Sequence, residues 1–170
     1  MKTVFNVVAL SLCLILVMGC GGKTEVPLEN VFNEVKEIVK ADLHKVLDEE
    51  AFAEADLPGY IVVDLKTEEG KNMLGQVNHD HLEKGYMIGA MMNINADMIL
   101  VLEAKEGKKE DVVAALEAVL EGQIELWSTY LPDQYAKVQK AIIEEAGNYL
   151  LYVVYENPEA VRDAFVVALK

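Results

Sequence analysis

Basic side chains are scarce in this sequence. Fifteen lysines and arginines face 29 aspartates and glutamates, a formal charge of −14, and Arg162 is the single arginine. A nucleic-acid footprint needs a basic face to neutralise phosphates, so this balance excludes nucleic acid as a partner. The same charge is repelled by bare anionic lipid, and attachment to a membrane has to come from something other than electrostatics. Serine occurs only at positions 11 and 128, and cysteine only at positions 13 and 20. With no G-x-S-x-G elbow and no histidine near Ser128 in sequence, nucleophilic catalysis lacks its usual raw material. The glycines form neither G-x-G-x-x-G nor a Walker pattern, so no phosphate cradle is readable. Repeats and low-complexity stretches are also missing, which argues against a solenoid or a flexible second module. What is abundant is apolar: 52% of the 170 residues are hydrophobic and 26% charged, the composition of one globular domain.

The first apolar stretch has a different purpose. Lys2 is followed from Val4 by VFNVVALSLCLILVMG, broken only by Asn6 and Ser11, and the run stops at Gly19-Cys20. It is shorter than the ~20 apolar residues that a membrane-crossing helix needs, and it reads as the hydrophobic region of an export signal. Val17-Met18-Gly19-Cys20 resembles the bacterial lipobox, in which a small residue precedes the cysteine that becomes the new N-terminus. The thiol is the only nucleophile there that can take a diacylglyceryl group; Met18 departs from the usual small residue. An ordinary secretory signal or an uncleaved anchor are the alternatives. The lipobox reading makes residues 1–19 a signal peptide, Cys20 the site of lipid attachment, 20–27 that cysteine and a short tether whose residues 21–27 reach about 25 Å, and 28–170 one domain. It places that domain on the extracytoplasmic face of a bacterial cell membrane, held in the bilayer through the lipid on Cys20. Two acyl chains anchor stably where one does not. Cys13 leaves with the signal and Cys20 is consumed, so no disulfide remains.

From Leu28 the apolar positions Leu28, Val31, Phe32, Val35, Ile38, Val39 and Leu43 fall at helical spacing, which predicts an amphipathic helix ending near Asp48-Glu49-Glu50. Leu57-Pro58-Gly59 breaks the chain, and Tyr60–Leu65 suits a short strand or an extended entry segment. Asn78 is placed to cap a single helical turn through Lys84. Tyr86–Met92 and Asp97–Ala104 are apolar runs around Asn93-Ile94-Asn95-Ala96, the pattern of an antiparallel hairpin. A long helix follows from Lys105–Lys109, with Val112, Leu116, Val119, Leu120, Ile124 and Trp127 in one stripe. Pro132 opens another, with Tyr135, Val138 and Ile142 recurring on one side, though Ala141–Glu145 also suits an extra strand. Tyr149–Tyr155 is a strand apolar on both faces, hence central, and Asn157-Pro158-Glu159 starts a last helix that docks Val161, Phe165 and Leu169. The predicted class is α+β: a small antiparallel sheet packed against helices, with the N-terminal amphipathic helix covering the sheet face that the C-terminal helices leave free.

Tyr130-Leu131-Pro132-Asp133-Gln134-Tyr135, Gly147-Asn148-Tyr149-Leu150-Leu151 and Asn157-Pro158-Glu159-Ala160-Val161 form a pattern. Together with Met91-Met92-Asn93, Ala96-Asp97 and Glu103-Ala104-Lys105, it resembles the domain-of-unknown-function 4358 family of small lipoproteins from Gram-positive anaerobes. The likeness covers roughly residues 75–170 and rests on no catalytic motif. It implies a membrane-anchored extracytoplasmic domain and transfers no functional residues. His79 and His81 fall where similar sequences carry an acidic helix start.

Several side-chain groups merit a chemical reading. Asn78-His79-Asp80-His81 with Glu83 is the densest set of potential ligands for zinc or another divalent ion, and supports a metal-dependent enzyme as the alternative function. On one helical turn, however, residues i and i+2 point about 200° apart, so His79 and His81 do not face a common ion, and a solvated helix start is the simpler account. Asn93-x-Asn95-x-Asp97 imitates the opening of a calcium loop, but Met98 stands where glycine is wanted and Ala104 where the bidentate glutamate is. Asp48-Glu49-Glu50 with Glu54 and Asp56 is a solvated acidic face. Ser128 is a helix-end residue. Met73, Met87, Met91, Met92 and Met98, with Tyr149, Tyr152 and Tyr155, have the adaptable apolar character of a groove, or else fill the core. The balance favours a non-enzymatic domain without cofactor that binds an envelope protein or an apolar ligand.

Overall fold

The computed structural model describes residues 26–170; the expected signal segment and Cys20 lie outside the described residues. The elements run α1 (Leu28–Leu43), a 3-10 turn (Glu49–Ala53), β1 (Tyr60–Asp64), α2 (Glu68–Lys71) and a second 3-10 turn (His79–His81). They continue through β2 (Leu82–Ala90), β3 (Met98–Ala104), α3 (Lys109–Ser128), α4 (Pro132–Val138), β4 (Ile142–Ala146), β5 (Tyr149–Val154) and α5 (Pro158–Ala168). The five strands form one antiparallel sheet in the order β1-β2-β3-β5-β4. The fold is α+β, as the alternation of patterns predicts.

The strand period of two sorts side chains onto two cores. Ile88, Ile99, Val101, Leu151 and Val153 point to one face, where they meet Leu28, Val31, Phe32, Val35 and Val39 of α1 and Val161 and Phe165 of α5. Met87, Leu100, Leu102, Leu150, Tyr152 and Val154 point to the other, under Val112, Leu116, Val119 and Trp127 of α3 and Val138 of α4. The N-terminal helix therefore does not take a face alone. It shares one with α5, on which it packs, because its stripe and that of α5 are each too narrow to cover a five-stranded sheet.

Local signals fix the start of α5. Asn157 accepts a hydrogen bond from the Ala160 N–H at 3.3 Å, and Pro158 follows at the first helical position. Gly70 lets α2 lie against β1: a Cβ there would sit 2.2 Å from the Asp64 carbonyl oxygen and 2.6 Å from the Leu65 Cα. The Tyr149 hydroxyl donates to the Val26 carbonyl at 2.8 Å, stitching the segment before α1 to the start of β5.

Some expectations need correction. The first helix stops at Leu43, and Asp48 caps a separate 3-10 turn by accepting from the Ala51 N–H at 3.2 Å. The turn at Asn78 ends at His81 instead of Lys84, because Leu82 already enters β2 opposite Ala104. Ile142 belongs to β4 and pairs with Val153, so it is not on the α4 face; α4 ends at Val138 and the anticipated extra strand takes over. Ile124 lies on the solvent side of α3, 37% exposed, off the stripe that Leu116 and Trp127 define.

Candidate functional site

The two sheet faces are not closed equally. On the α3 face, at the end of the sheet where β2 turns into β3, lies a cleft of about 270 Å³. Its lining includes Ile61, Met87, Gly89 and Met98 from the strands, Gln123, Leu126 and Trp127 from the last turns of α3, Met73 after α2, and Met92, Asn93 and Asn95–Asp97 from the β2–β3 connection. Strand register explains the floor. Gly89 stands directly between Ile61 of β1 and Met98 of β3, and two residues from Met87 on the same face. The central position of that four-residue patch has no side chain. A Cβ at Gly89 would meet Ile61 Cγ1 and Met87 Cε at 3.7 Å, ordinary contact, so the space is open and not a close approach of backbones.

The roof is held by Trp127, whose ring is tilted against Tyr130 at 5.6 Å between centroids. The Trp127 indole N–H donates to Gln123 Oε1 at 2.8 Å, one helical turn back, which satisfies the only polar atom of a ring that is 4% exposed. Four methionines, Met73, Met87, Met92 and Met98, surround the space, with unbranched side chains able to repack around a guest. Met91 is not among the lining residues and is 65% exposed. The three tyrosines expected beside them lie elsewhere: Tyr152 is fully buried in the α3-side core, Tyr155 is buried under α1 and α5, and Tyr149 packs on that same side. A strand apolar on both faces places its rings in two cores, so they do not form one groove.

The polar edge of the cleft is a hydrogen-bonded network around Asp97, the one buried charged residue among the described residues. Its Oδ2 accepts from the Tyr60 hydroxyl at 2.5 Å and from Asn95 Nδ2 at 3.0 Å. Its Oδ1 accepts from Lys137 Nζ of α4 at 2.6 Å. Lys137 also donates to Asn95 Oδ1 at 3.1 Å, and the Asp97 backbone N–H donates to that same oxygen at 3.1 Å. Gln134, one turn before Lys137, accepts from the Ala96 N–H at 2.9 Å. Burial, then the Asp97 carboxylate beside it, pushes the Tyr60 hydroxyl far above its ordinary range. The side chains of Lys137 and Asp97 are only 12% and 6% exposed, so the pair is largely screened from water. The calcium-like spacing Asn93-x-Asn95-x-Asp97 thus serves a fixed cation of the chain itself: the Lys137 ammonium lies among the oxygens of Asn95 and Asp97. Nothing local to residue 137 announces this, because the partners are 40 and 42 residues apart.

The other candidate groups are engaged separately. His79 Nδ1 donates to the Leu65 carbonyl at 2.9 Å, while its Nε2 is buried without a partner. His81 Nε2 lies 3.1 Å from Asn78 Nδ2, and its Nδ1 3.5 Å from Asp111 of α3. Among the described residues no group of three His, Cys, Asp or Glu is arranged to hold a metal ion. Ser128 Oγ donates to the Glu125 carbonyl at 3.0 Å at the end of α3. Asp56 pairs with Lys36 and Lys40, whose ammonium groups hold its carboxyl below the usual range, Lys40 having the larger effect.

Residues 62–155, more than half of the chain, match the family model described as a domain of unknown function, DUF4358. The chain belongs to this family. No curated protein and no solved structure matches it. The DUF4358 segment begins at the third residue of β1 and closes just after β5, so it takes in most of the sheet, α3, α4 and the Asp97–Lys137 network. The helices α1 and α5 fall outside it, although they complete the opposite core. The match starts at Val62, before the region of about 75–170 that the sequence pattern marks, and ends at Tyr155, short of the Asn157–Val161 helix start. Among the described residues no helix is long and apolar enough to cross a membrane.

Proposed function

We propose that this DUF4358 chain is a lipid-anchored, extracytoplasmic, non-catalytic binding domain whose methionine-lined cleft receives a small apolar molecule. The observation that carries the reading is the cleft itself: about 270 Å³ floored by the bare Gly89 position and walled by four methionines and Trp127, with one polar edge. Apolar lining with a few placed polar groups is the usual make-up of a small-molecule site, and thioether side chains accommodate guests of more than one shape. The anchor rests on the Val17–Cys20 junction and the apolar run before it. An apolar segment of an envelope protein is the competing occupant.

Trp127 is the single tryptophan, so its emission reports on the roof of the cleft alone. The full chain in lipid nanodiscs, titrated with a short brominated alkanol, is expected to show saturable quenching of that emission. Gly89→Leu, which fills the floor, is expected to abolish saturation while leaving the circular dichroism unchanged. Linear, non-saturating quenching in the unaltered chain would remove the small-molecule reading. Mass spectrometry of the N-terminus from native membranes tests the anchor: diacylglyceryl-Cys20 supports it, and an unmodified Cys20 or an intact Met1 defeats it.

A further inference from the structure

We propose that Lys137 and Asn95 become joined by a spontaneous intramolecular amide, an isopeptide bond, with Asp97 carrying the protons. A plain buried ion pair needs only Asp97 and Lys137. Here the amide of Asn95 is held as well, in one orientation. Its Oδ1 receives the Asp97 backbone N–H at 3.1 Å and Lys137 Nζ at 3.1 Å, and its Nδ2 donates to Asp97 Oδ2 at 3.0 Å. A carboxylate and a backbone N–H on opposite ends of the amide leave no ambiguity about which atom is oxygen.

Each requirement of amide exchange is met by a named atom. The nucleophile is Lys137 Nζ, held 3.1 Å from the oxygen of the amide it attacks, which replaces a bimolecular encounter by a positioned one. The base is Asp97 Oδ1, 2.6 Å from that nitrogen. The Asp97 N–H already points at the oxygen on which negative charge grows. The leaving nitrogen, Asn95 Nδ2, is hydrogen-bonded to the other oxygen of the same carboxylate. Asp97 takes a proton from the ammonium, and the neutral amine forms a bond from Nζ to Asn95 Cγ. The bond from Cγ to Nδ2 then breaks as two protons in all are relayed from Nζ to the departing nitrogen, which leaves as ammonium. Asp97 returns to its carboxylate form. Charge balances and nothing is oxidised or reduced, so no co-reactant is needed. The Tyr60 hydroxyl, 2.5 Å from Oδ2, keeps the carboxylate in place. The product would tie the β2–β3 connection to α4, closing a loop across 42 residues, and its existence does not depend on the binding reading above.

The test is peptide mass mapping of the full chain, incubated folded at neutral pH and then digested with trypsin. The expected product is a branched species joining residues 85–105 to 110–140, uncleaved at Lys137 and one ammonia lighter than the sum of its parts. Lys137→Arg, which keeps the charge beside Asp97, is expected to return both segments as linear peptides of full mass. Asn95→Asp is expected to give the same branch by loss of water instead. Asp97→Ala should leave the two reactants unjoined. Linear peptides of full mass from the unaltered chain would overturn the proposal without recourse to any variant. So would an ammonia loss that persists in Lys137→Arg, since that would be a succinimide within one segment.

Discussion

The two faces of the sheet solve the same packing problem differently. On one, α1 and α5 lay a continuous row of branched and aromatic side chains, with Phe32 stacked on Tyr86 at 4.7 Å between ring centroids. On the other, α3 and α4 cover the central and β5 side fully, but the last turns of α3 stand over glycine and methionine instead of branched residues, and a cleft remains. The difference lies in which residues occupy equivalent sites. Ile88 faces the closed side and Gly89 the open one, neighbours on a single strand. The closed face contributes to stability, and the open one trades some of that for room.

The contrast can be broken most severely at the edge of the cleft. Compared by urea denaturation with Lys137→Arg, which keeps a cation beside Asp97 and forms no bond to Asn95, Lys137→Met leaves the buried carboxylate uncompensated and should lower the unfolding free energy by about 3–5 kcal/mol. Next, Phe165→Ala on the closed face is expected to cost about 3–5 kcal/mol, whereas Met92→Ala on the open face should fall within about 0.5 kcal/mol. Equal losses at the two positions would mean that the faces are packed alike.

Tyrosine hydroxyls sharpen the comparison further. Tyr152, in the α3-side core, has a buried hydroxyl with no partner, so Tyr152→Phe should stabilise the fold by up to about 1–3 kcal/mol, the cost of an unsatisfied buried group. Burial raises the ionisation range of Tyr60, Tyr152 and Tyr155 above the ordinary value. A group whose folded range is raised favours its protonated form in the fold, so this stabilisation is complete below about pH 10 and is lost as pH rises beyond it. Alkaline titration followed by tyrosine absorbance should show these residues ionising together with unfolding. A small effect is also expected at Asp56. Its folded range is lowered by Lys40 and Lys36, so its contribution is present above the unfolded value near 4 and lost as pH falls below it. As the carboxyl is 48% exposed, Asp56→Asn should cost well under about 1 kcal/mol at neutral pH and shrink further in high salt.

Elements with local chemistry were legible from the chain alone. Asn157-Pro158 marks the start of α5 because cap and first-turn proline act within one turn, and the Asn93–Ala96 stretch marks the hairpin because turn residues interrupt two apolar runs. The methionines stand out by composition, which survives folding, but only the fold shows that Met73, Met87, Met92 and Met98 line a cleft while Met91 does not. What escaped depends on register or distance. The emptiness at Gly89 exists only once Ile61 and Met98 are known to flank it, and the partnership of Lys137 with Asp97 spans 40 residues with no periodicity to betray it. The tyrosines in and just after β5 share a residue type, but extended chain sends alternate residues to opposite sides, so Tyr152 and Tyr155 serve separate cores. Likewise the stripe of α1 says that it covers something, while only the tertiary pairing shows that it shares its face with α5.

The stitch from the Tyr149 hydroxyl to the Val26 carbonyl sets a direction as well as a contact. Tyr149 pairs with Glu103 at one end of the sheet, whereas Met98, beside the cleft, pairs with Val154 at the other. Five steps of strand separate the two ends, roughly 17 Å at the usual rise per residue. Val26 and the cleft therefore sit at opposite ends of the same strands, the chain's point of entry at the base and the methionines at the rim.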